Sequence, residues 1–445
     1  MQDHLSAGVG RVDITPPLGT PLAGYADPEN KRVVEGVHDP LHATALVFER
    51  AGCIGAVINL DAIVVEQEDT VTIRNQIAER TSIPPEHVIV SATQTHSAPR
   101  TQLVLGWHDK NHEYVQNTLV PGAIESVVSA FGSMQPVRVG IAEVPCDTGV
   151  NRRSITQDHH VALGQNRWAV IDPTMTVLRF ETVEGPLANL IHYGAHPTVF
   201  RVTNRLASRD WPGVMVDRVE HLTGATTLYL NGAVGDIAPR TNSNRATGDE
   251  TEDALWEAGS TASLAAMRAW RSIRELRDVP VDVISQTIEI PYRPLPSLEA
   301  ARRELVAASD RKDQPGEGAC NYLHWQAVVQ ELEAGREKRA AAYPQVILSL
   351  GPVAFVPFPG EPFGETILRQ RDVSPFQHTL GLSTSCGSYG YFTTRESLHR
   401  GGYEVWVAKA FGPYLLGEKV DDALIEQNEK MLKELHSQMT APWPN

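Results

Sequence analysis

Apolar, mostly β-branched runs that break off into glycine, small residues and one hard polar group recur along this chain. Amphipathic helical stretches separate them, and this alternation restricts the fold more than any other feature. "HATALVFER" and "GAVINLD" read as strands. "QEDTVTIRNQIAER" reads as a helix, with acids early and Arg80 at its end, as the helix dipole favours. "EHVIVSA" is the next strand, "TLVPGAIESVVSAFGSM" a helix and "VRVGIAEVP" a strand. "DWPGVMVDRVEHLTG" carries a proline in its first turn and a glycine past its end, the usual helix punctuation. This order implies an α/β protein, a mixed β-sheet core flanked by helices.

From about residue 296 the texture changes. "SLEAARRELVAAS" and "NYLHWQAVVQELEAGREKRAAAY" predict an inserted helical hairpin over about 296–343. Strand character returns in "PQVILSLGPVAFVPFPGE", and a last amphipathic helix lies around "VDDALIEQNEKMLKEL". With no repeat or long linker, residues 1–445 read as one α/β catalytic unit. The 42% hydrophobic content over 445 residues is ample for a large core.

The net charge of −15 argues against nucleic acid or an anionic membrane as partner. No apolar run approaches the ~20 residues that span a bilayer. The first residues lack a basic and an apolar signal region. Cys53, Cys146, Cys320 and Cys386 are far apart and form no CxxC pair, so reduced thiols and a cytoplasmic location are expected. Walker A, GxGxxG and HExxH motifs are absent, and "GLSTSCG" is not a GxSxG elbow.

In open α/β sheets, sites collect at strand ends. The strand-end groups here are Asp61, Gln94 with His96, His196, Asn231 with Asp236, and Glu361. If residues 92–96 stay extended, Gln94 and His96 point to one side. Pro197 holds His196 out of helical geometry. His192, four residues earlier, suits packing or support better, because Gly194 lies between the two. Glu361 projects from a Pro-Gly turn. Two imidazoles and a carboxylate are the protein ligands of many catalytic zinc sites. Spacing alone leaves open whether His96, His196 and Glu361 converge.

Eight stretches in order resemble the neutral/alkaline (non-lysosomal) ceramidases and their bacterial relatives. They are "GVGRVDITPPLGTPLAGYA", "GVHDPLHATALVF", "VSATQTHSAP", "GVNRR", "YGAHPTVF", "NGAVGDIAPR", "PGEPFGE" and "GYFTTRESLHRGGYE". The resemblance implies an α/β catalytic domain holding one zinc through two histidines, a glutamate and a tyrosine. By motif these fall on His96, His196, Glu361 and Tyr391. A further active-site tyrosine falls on Tyr403 and the arginine of the "NR" motif on Arg152, with Arg153 beside it.

The chain also departs from the family's pattern. Gln94 stands where the family has the first histidine of its strand motif. Either His96 is the ligand and Gln94 a nearby substrate contact, or Gln94 takes the ligand position; an amide oxygen is the poorer zinc ligand. Ala238 replaces a serine important for ceramide hydrolysis, and alanine can neither attack nor donate. No strand-rich segment follows residue 420, where the family's ceramidases carry a β-sandwich.

The expectation is a zinc hydrolase that cleaves a small amide, not ceramide, through a metal-activated water. Tyr403 would meet the oxyanion, and Asp236 or His192 would serve as base or orient a ligand. Arg152, Arg153, Arg209 and Arg240 lie beside site motifs and could take an anionic substrate group, or could pair with the chain's many acids. A homo-oligomer is compatible with the hairpin. The other readings are an esterase or lactonase on the same site, and a non-catalytic binding relative.

Overall fold

The computed structural model describes residues 4–242 and 252–439. Three sheets of four or five strands share its centre, and helices cover their outer faces. The first orders Val88–Ala92, Cys53–Leu60, His42–Arg50, Ser6–Asp13 and Gln135–Pro136. The second orders Thr226–Asn231, Gly185–Tyr193, Thr174–Thr182 and Arg138–Pro145. The third orders Val281–Pro291, Ala340–Leu350, Val353–Pro357 and His378–Leu382. The expected mixed core is therefore built from several sheets.

Strand alternation explains how "HATALVFER" is buried on both faces. Ala43, Ala45 and Val47 meet the helices Gln67–Arg80 and Val120–Gly132, whereas Leu46 and Phe48 enter the shared centre. There Phe48 meets Phe355 of the third sheet, ring centroids 6.4 Å apart. The helix Trp211–Thr223 starts and stops as its sequence predicts. Asp210 Oδ1 accepts from Trp211 N at 2.8 Å, Pro212 sits in the first turn, and Gly224 ends it in the left-handed region.

Each sheet contains one parallel pair: Cys53–Leu60 with Val88–Ala92, Gly185–Tyr193 with Thr226–Asn231, and Val353–Pro357 with His378–Leu382. The carboxyl ends of all three pairs converge, and backbone hydrogen bonds from "STSC" tie them together. Ser383 N donates to Asn231 O (3.0 Å), Thr384 N to Gly360 O (2.7 Å) and Cys386 N to Val90 O (2.7 Å). Thr384 and Cys386 hold left-handed backbone to do so, a strained state for side-chain-bearing residues that the surrounding bonds enforce.

The inserted hairpin consists of Leu298–Ala308 and Glu317–Glu333, shorter than the expected 296–343. Gly335, at φ 64°, lies just past its second helix, and Ala340–Tyr343 already pair in the third sheet. Those residues have helix-like composition, but a full antiparallel register against Val281–Pro291 offers them more bonds than another helical turn.

Candidate functional site

The strand ends bring His96, His196, Glu361, Tyr391 and Tyr403 into contact with one another or with one small cavity. The cavity has a volume of about 40 Å³ and is bordered by Gln94, His96, Glu361, Tyr391 and Tyr403, and also by Gln102, Trp107 and His108. Apolar walls come from Ile63, Val64, Val104, Val407 and Phe411.

Gln94 and His96 arrive on the loop after Val88–Ala92. That segment does not stay extended: Gln94 has φ 67°, because its N–H turns back to donate to Ala62 O at 2.9 Å. Both side chains nonetheless border the cavity. His196 and His96 lie with ring centroids 5.8 Å apart. Glu361 and Tyr391 are held side by side by a two-residue parallel bridge, Glu361–Pro362 against Tyr391–Phe392.

The His196 ring is fixed from behind. Its Nδ1 lies 3.1 Å from Ile237 O, so Nδ1–H donates there and the Nε2 lone pair is turned towards Arg152 Nη1, 3.2 Å away. That Nε2 sits 3.2 Å from Glu361 Oε2, yet Oε2 has no hydrogen-bond partner. Two ligands of one ion would stand at such a distance. Bond lengths of roughly 2.1 Å about a tetrahedral centre separate neighbouring ligand atoms by roughly 3.3 Å. Gln94 Oε1, at the same cavity, is also buried and unpartnered, while His96 Nδ1 packs against Gly24. The donors therefore fit a divalent ion. Among the described residues, however, no three His, Cys, Asp or Glu side chains form a finished cage.

Burial and then the positive Arg152 lower the pKa of His196, against the pull of Glu361. Burial, His196, Arg32 and Arg152 lower that of His96. Both imidazoles are thus neutral near pH 7, as ligands must be. Burial raises Tyr391 and Tyr403, so both phenols keep their protons and can donate.

Arg152 stands behind the cluster. Its Nη1 is almost equidistant from the two nitrogens of His196 (3.3 and 3.2 Å), and its Nη2 donates to Tyr391 Oη at 3.2 Å and to Gly235 O at 2.8 Å. Its guanidinium carbon is 5.6 Å from the Tyr403 ring centroid. Glu404, fully buried, accepts from Arg152 Nε at 2.9 Å and from Arg153 Nη1 at 2.5 Å. Arg153 also donates to Gly401 O and Ser397 O, which fastens the turn leading into Tyr403.

Other expected residues lie off the cavity. Asp236 has both oxygens occupied, one accepting from Gly364 N (2.8 Å), the other from Asn151 Nδ2 (2.7 Å). Burial raises its pKa to about 6. His192 donates from Nε2 to Gly381 O at 2.9 Å inside the core. Ala238 sits on the strand Ile237–Pro239 paired with Val150. The arginines suggested as anion receptors are engaged elsewhere: Arg209 with Asp39 and Asp217, Arg240 with Asp147, Arg153 with Glu404. The acid-rich composition supplies their partners inside the chain.

Sequence reasoning missed Glu404, Gln102, Trp107 and His108. Glu404 was legible only as an acid set among apolar residues in "YEVWV". Asn231 turns out to join the loops: its Nδ2 donates to Thr93 O (2.7 Å), just before Gln94, and its Oδ1 accepts from Ala195 N (3.3 Å), just before His196.

The model of the family described as "Neutral/alkaline non-lysosomal ceramidase, N-terminal" matches residues 5–256. Among solved structures, neutral ceramidase from Pseudomonas aeruginosa is similar over 100% of this chain and 76% of its own, at 19% identity and a TM-score of 0.74. A ceramidase complexed with C2 is similar over 100% of this chain and 78% of its own, at 18% identity and a TM-score of 0.75. At these identities the likeness establishes the fold. No curated protein matches the chain. With the family's model matched over more than half of the chain, including Gln94, His96 and His196, the chain belongs to the neutral/alkaline non-lysosomal ceramidase family.

Proposed function

We propose that this protein is a zinc-dependent hydrolase that cleaves the amide bond of a small molecule other than ceramide. The carrying observation is that Glu361 Oε2, buried and without a hydrogen-bond partner, lies 3.2 Å from His196 Nε2, with the His96 ring 5.8 Å from that of His196 at the edge of one cavity. His96, His196, Glu361 and Tyr391 would hold the ion. Family membership supports hydrolysis of a C–N bond. Alanine at 238 and the small cavity argue against ceramide.

When bound, zinc would supply a Lewis acid for the amide carbonyl and lower the pKa of a water to roughly 7. The chain's own groups do the rest. Tyr403, protonated at neutral pH, donates to the developing oxyanion; loss of such a donor costs on the order of 100- to 1000-fold in rate. Arg152 orients the Tyr391 hydroxyl and backs the His196 ring. Asp236 acts as a positioning residue, fixing Asn151 and the start of the helix Gly364–Val373. The apolar walls limit the water that can enter. Four free thiols, Cys146, Cys320 and Cys386 of them buried, support a reducing, cytoplasmic setting. No helix among the described residues is long and apolar enough to cross a membrane.

The test is elemental analysis of wild type and of His96→Ala, His196→Ala and Glu361→Ala, with hydrolysis of small amides measured alongside. About one zinc per chain, lost together with activity in folded variants, is expected. Full metal and full activity in His196→Ala and Glu361→Ala would overturn the proposal.

A further inference from the structure

Polar side chains that the ligand set does not use also border the cavity. On the segment after "SAPR", Gln102 and His108 border it, as does Gln94 from the preceding loop. All three side chains are buried, with 2%, 7% and 8% exposure for Gln94, Gln102 and His108. Ser388 Oγ donates to Gln102 Oε1 at 2.7 Å, which orients the amide and leaves its NH₂ as the end to offer. His108 is anchored by its backbone, which exchanges hydrogen bonds with Val104 (3.0 and 3.1 Å), while its Nδ1 has no partner. Gln94 Oε1 has none either.

These groups carry no charge. Burial, and then the positive Arg100, lower the His108 pKa to about 4, so its ring is neutral at pH 7. Arg100 is itself paired with Asp27 at 2.9 Å. No arginine or lysine borders the cavity. Between the apolar walls already named, the polar chemistry these residues add is two carboxamides, one neutral imidazole and the Trp107 indole N–H, with both donors and acceptors among them. Covering them with an alkyl chain would leave Gln94 Oε1, the Gln102 NH₂ and the His108 ring nitrogen without a partner from the ligand. A site built to bond a polar group rejects the analogue that lacks it far more strongly than an apolar pocket rejects an extra hydroxyl. Size points the same way: about 40 Å³ accommodates a few water-sized groups and no long chain.

We propose that Gln94, Gln102 and His108 form a neutral polar subsite that selects short amides carrying a hydroxyl or carboxamide next to the scissile bond, over alkyl and anionic analogues. This rests on the amide-hydrolase reading of the same site. Gln102 and His108 are then specificity-determining residues.

The test compares near-isosteric amides on zinc-supplied wild-type protein: glycolamide and malonamide against propanamide, octanamide and malonamate. On the amine side it compares N-(2-hydroxyethyl)acetamide with N-propylacetamide. Binding is measured by calorimetry and turnover by release of the amine or ammonia. The polar members are expected to exceed their alkyl partners by on the order of 10-fold per hydrogen bond made. Gln102→Leu and His108→Leu should each narrow that ratio. Tighter binding or faster turnover of propanamide, octanamide or malonamate would overturn the subsite. If no amide is turned over, the hydrolase reading fails, and the binding order alone still decides the subsite. The wild-type comparison stands even if a variant fails to fold.

Discussion

Gly24 offers a test of whether His96 must sit where it does. A Cβ built on Gly24 would lie 2.3 Å from His96 Nδ1, 2.5 Å from Cγ and 2.8 Å from Cβ. Ordinary contact begins near 3.4 Å, so the ring would have to retreat by roughly 1 Å. The backbone cannot absorb this movement, because Arg32 donates both to Ala23 O and to His96 O and clamps the two loops together. Gly24 also has φ 93°, so alanine adds a strain of about 1–2 kcal/mol. Gly19 separates the two effects: its φ is 85°, but a Cβ there meets nothing within 4 Å. Gly19→Ala should lose about 1–2 kcal/mol of stability to urea, and Gly24→Ala that plus about 1–3 kcal/mol for the overpacking. Only Gly24→Ala should also weaken zinc binding and cut amide turnover, the latter by on the order of 100-fold for a misplacement of about 1 Å. The assays are urea unfolding, zinc titration against a chelator, and turnover. If Gly24→Ala binds zinc and turns over amide indistinguishably from Gly19→Ala, His96 is not held in place for the reason given.

Glu404→Gln removes the counter-charge of two buried arginines and should cost about 3–5 kcal/mol in urea unfolding, with activity falling as Arg152 leaves its place behind His196; unchanged stability would mean that the arginines find other partners. Asn231→Ala cuts the side-chain ties to the Thr93 and Ala195 backbone and should lower zinc affinity about 10- to 100-fold, while unfolding shifts by about 1–3 kcal/mol; a chelator competition that gives wild-type affinity would show that the loops need no staple. His324, whose Nδ1 donates to Gly412 O at 2.9 Å, has its pKa lowered by burial from 6.5 to about 4. The unfolded chain therefore takes up this proton first as pH falls. The contribution of His324 is complete above pH 6.5 and is lost towards pH 4, by about 3 kcal/mol. His324→Gln should flatten that part of the stability–pH curve, and an unaltered slope would refute the assignment.

Local patterning determined most of the architecture. Apolar runs with period two, helix caps such as Asp210 with Gly224, and the break after Ala92 depend on neighbours in sequence, so the strands and helices were legible from the chain. So were His96, His196 and Glu361 as strand-end groups, with Tyr391 and Tyr403 entering through the family's motifs. The tertiary structure decided what depends on residues far apart. The left-handed turn at Gln94 exists because Ala62 O lies within reach. The strand over Ala340–Tyr343 exists because Val281–Pro291 offers it a register. Asp236 looked like a free strand-end acid, but Asn151 and Gly364 take both its oxygens. Arg152 and Arg153 looked open to an anion, but Glu404, about 250 positions away, pairs with both. Charge and hydrogen-bond capacity are written in the sequence. Which partner uses them is settled only when the three sheets close on one another and exclude water.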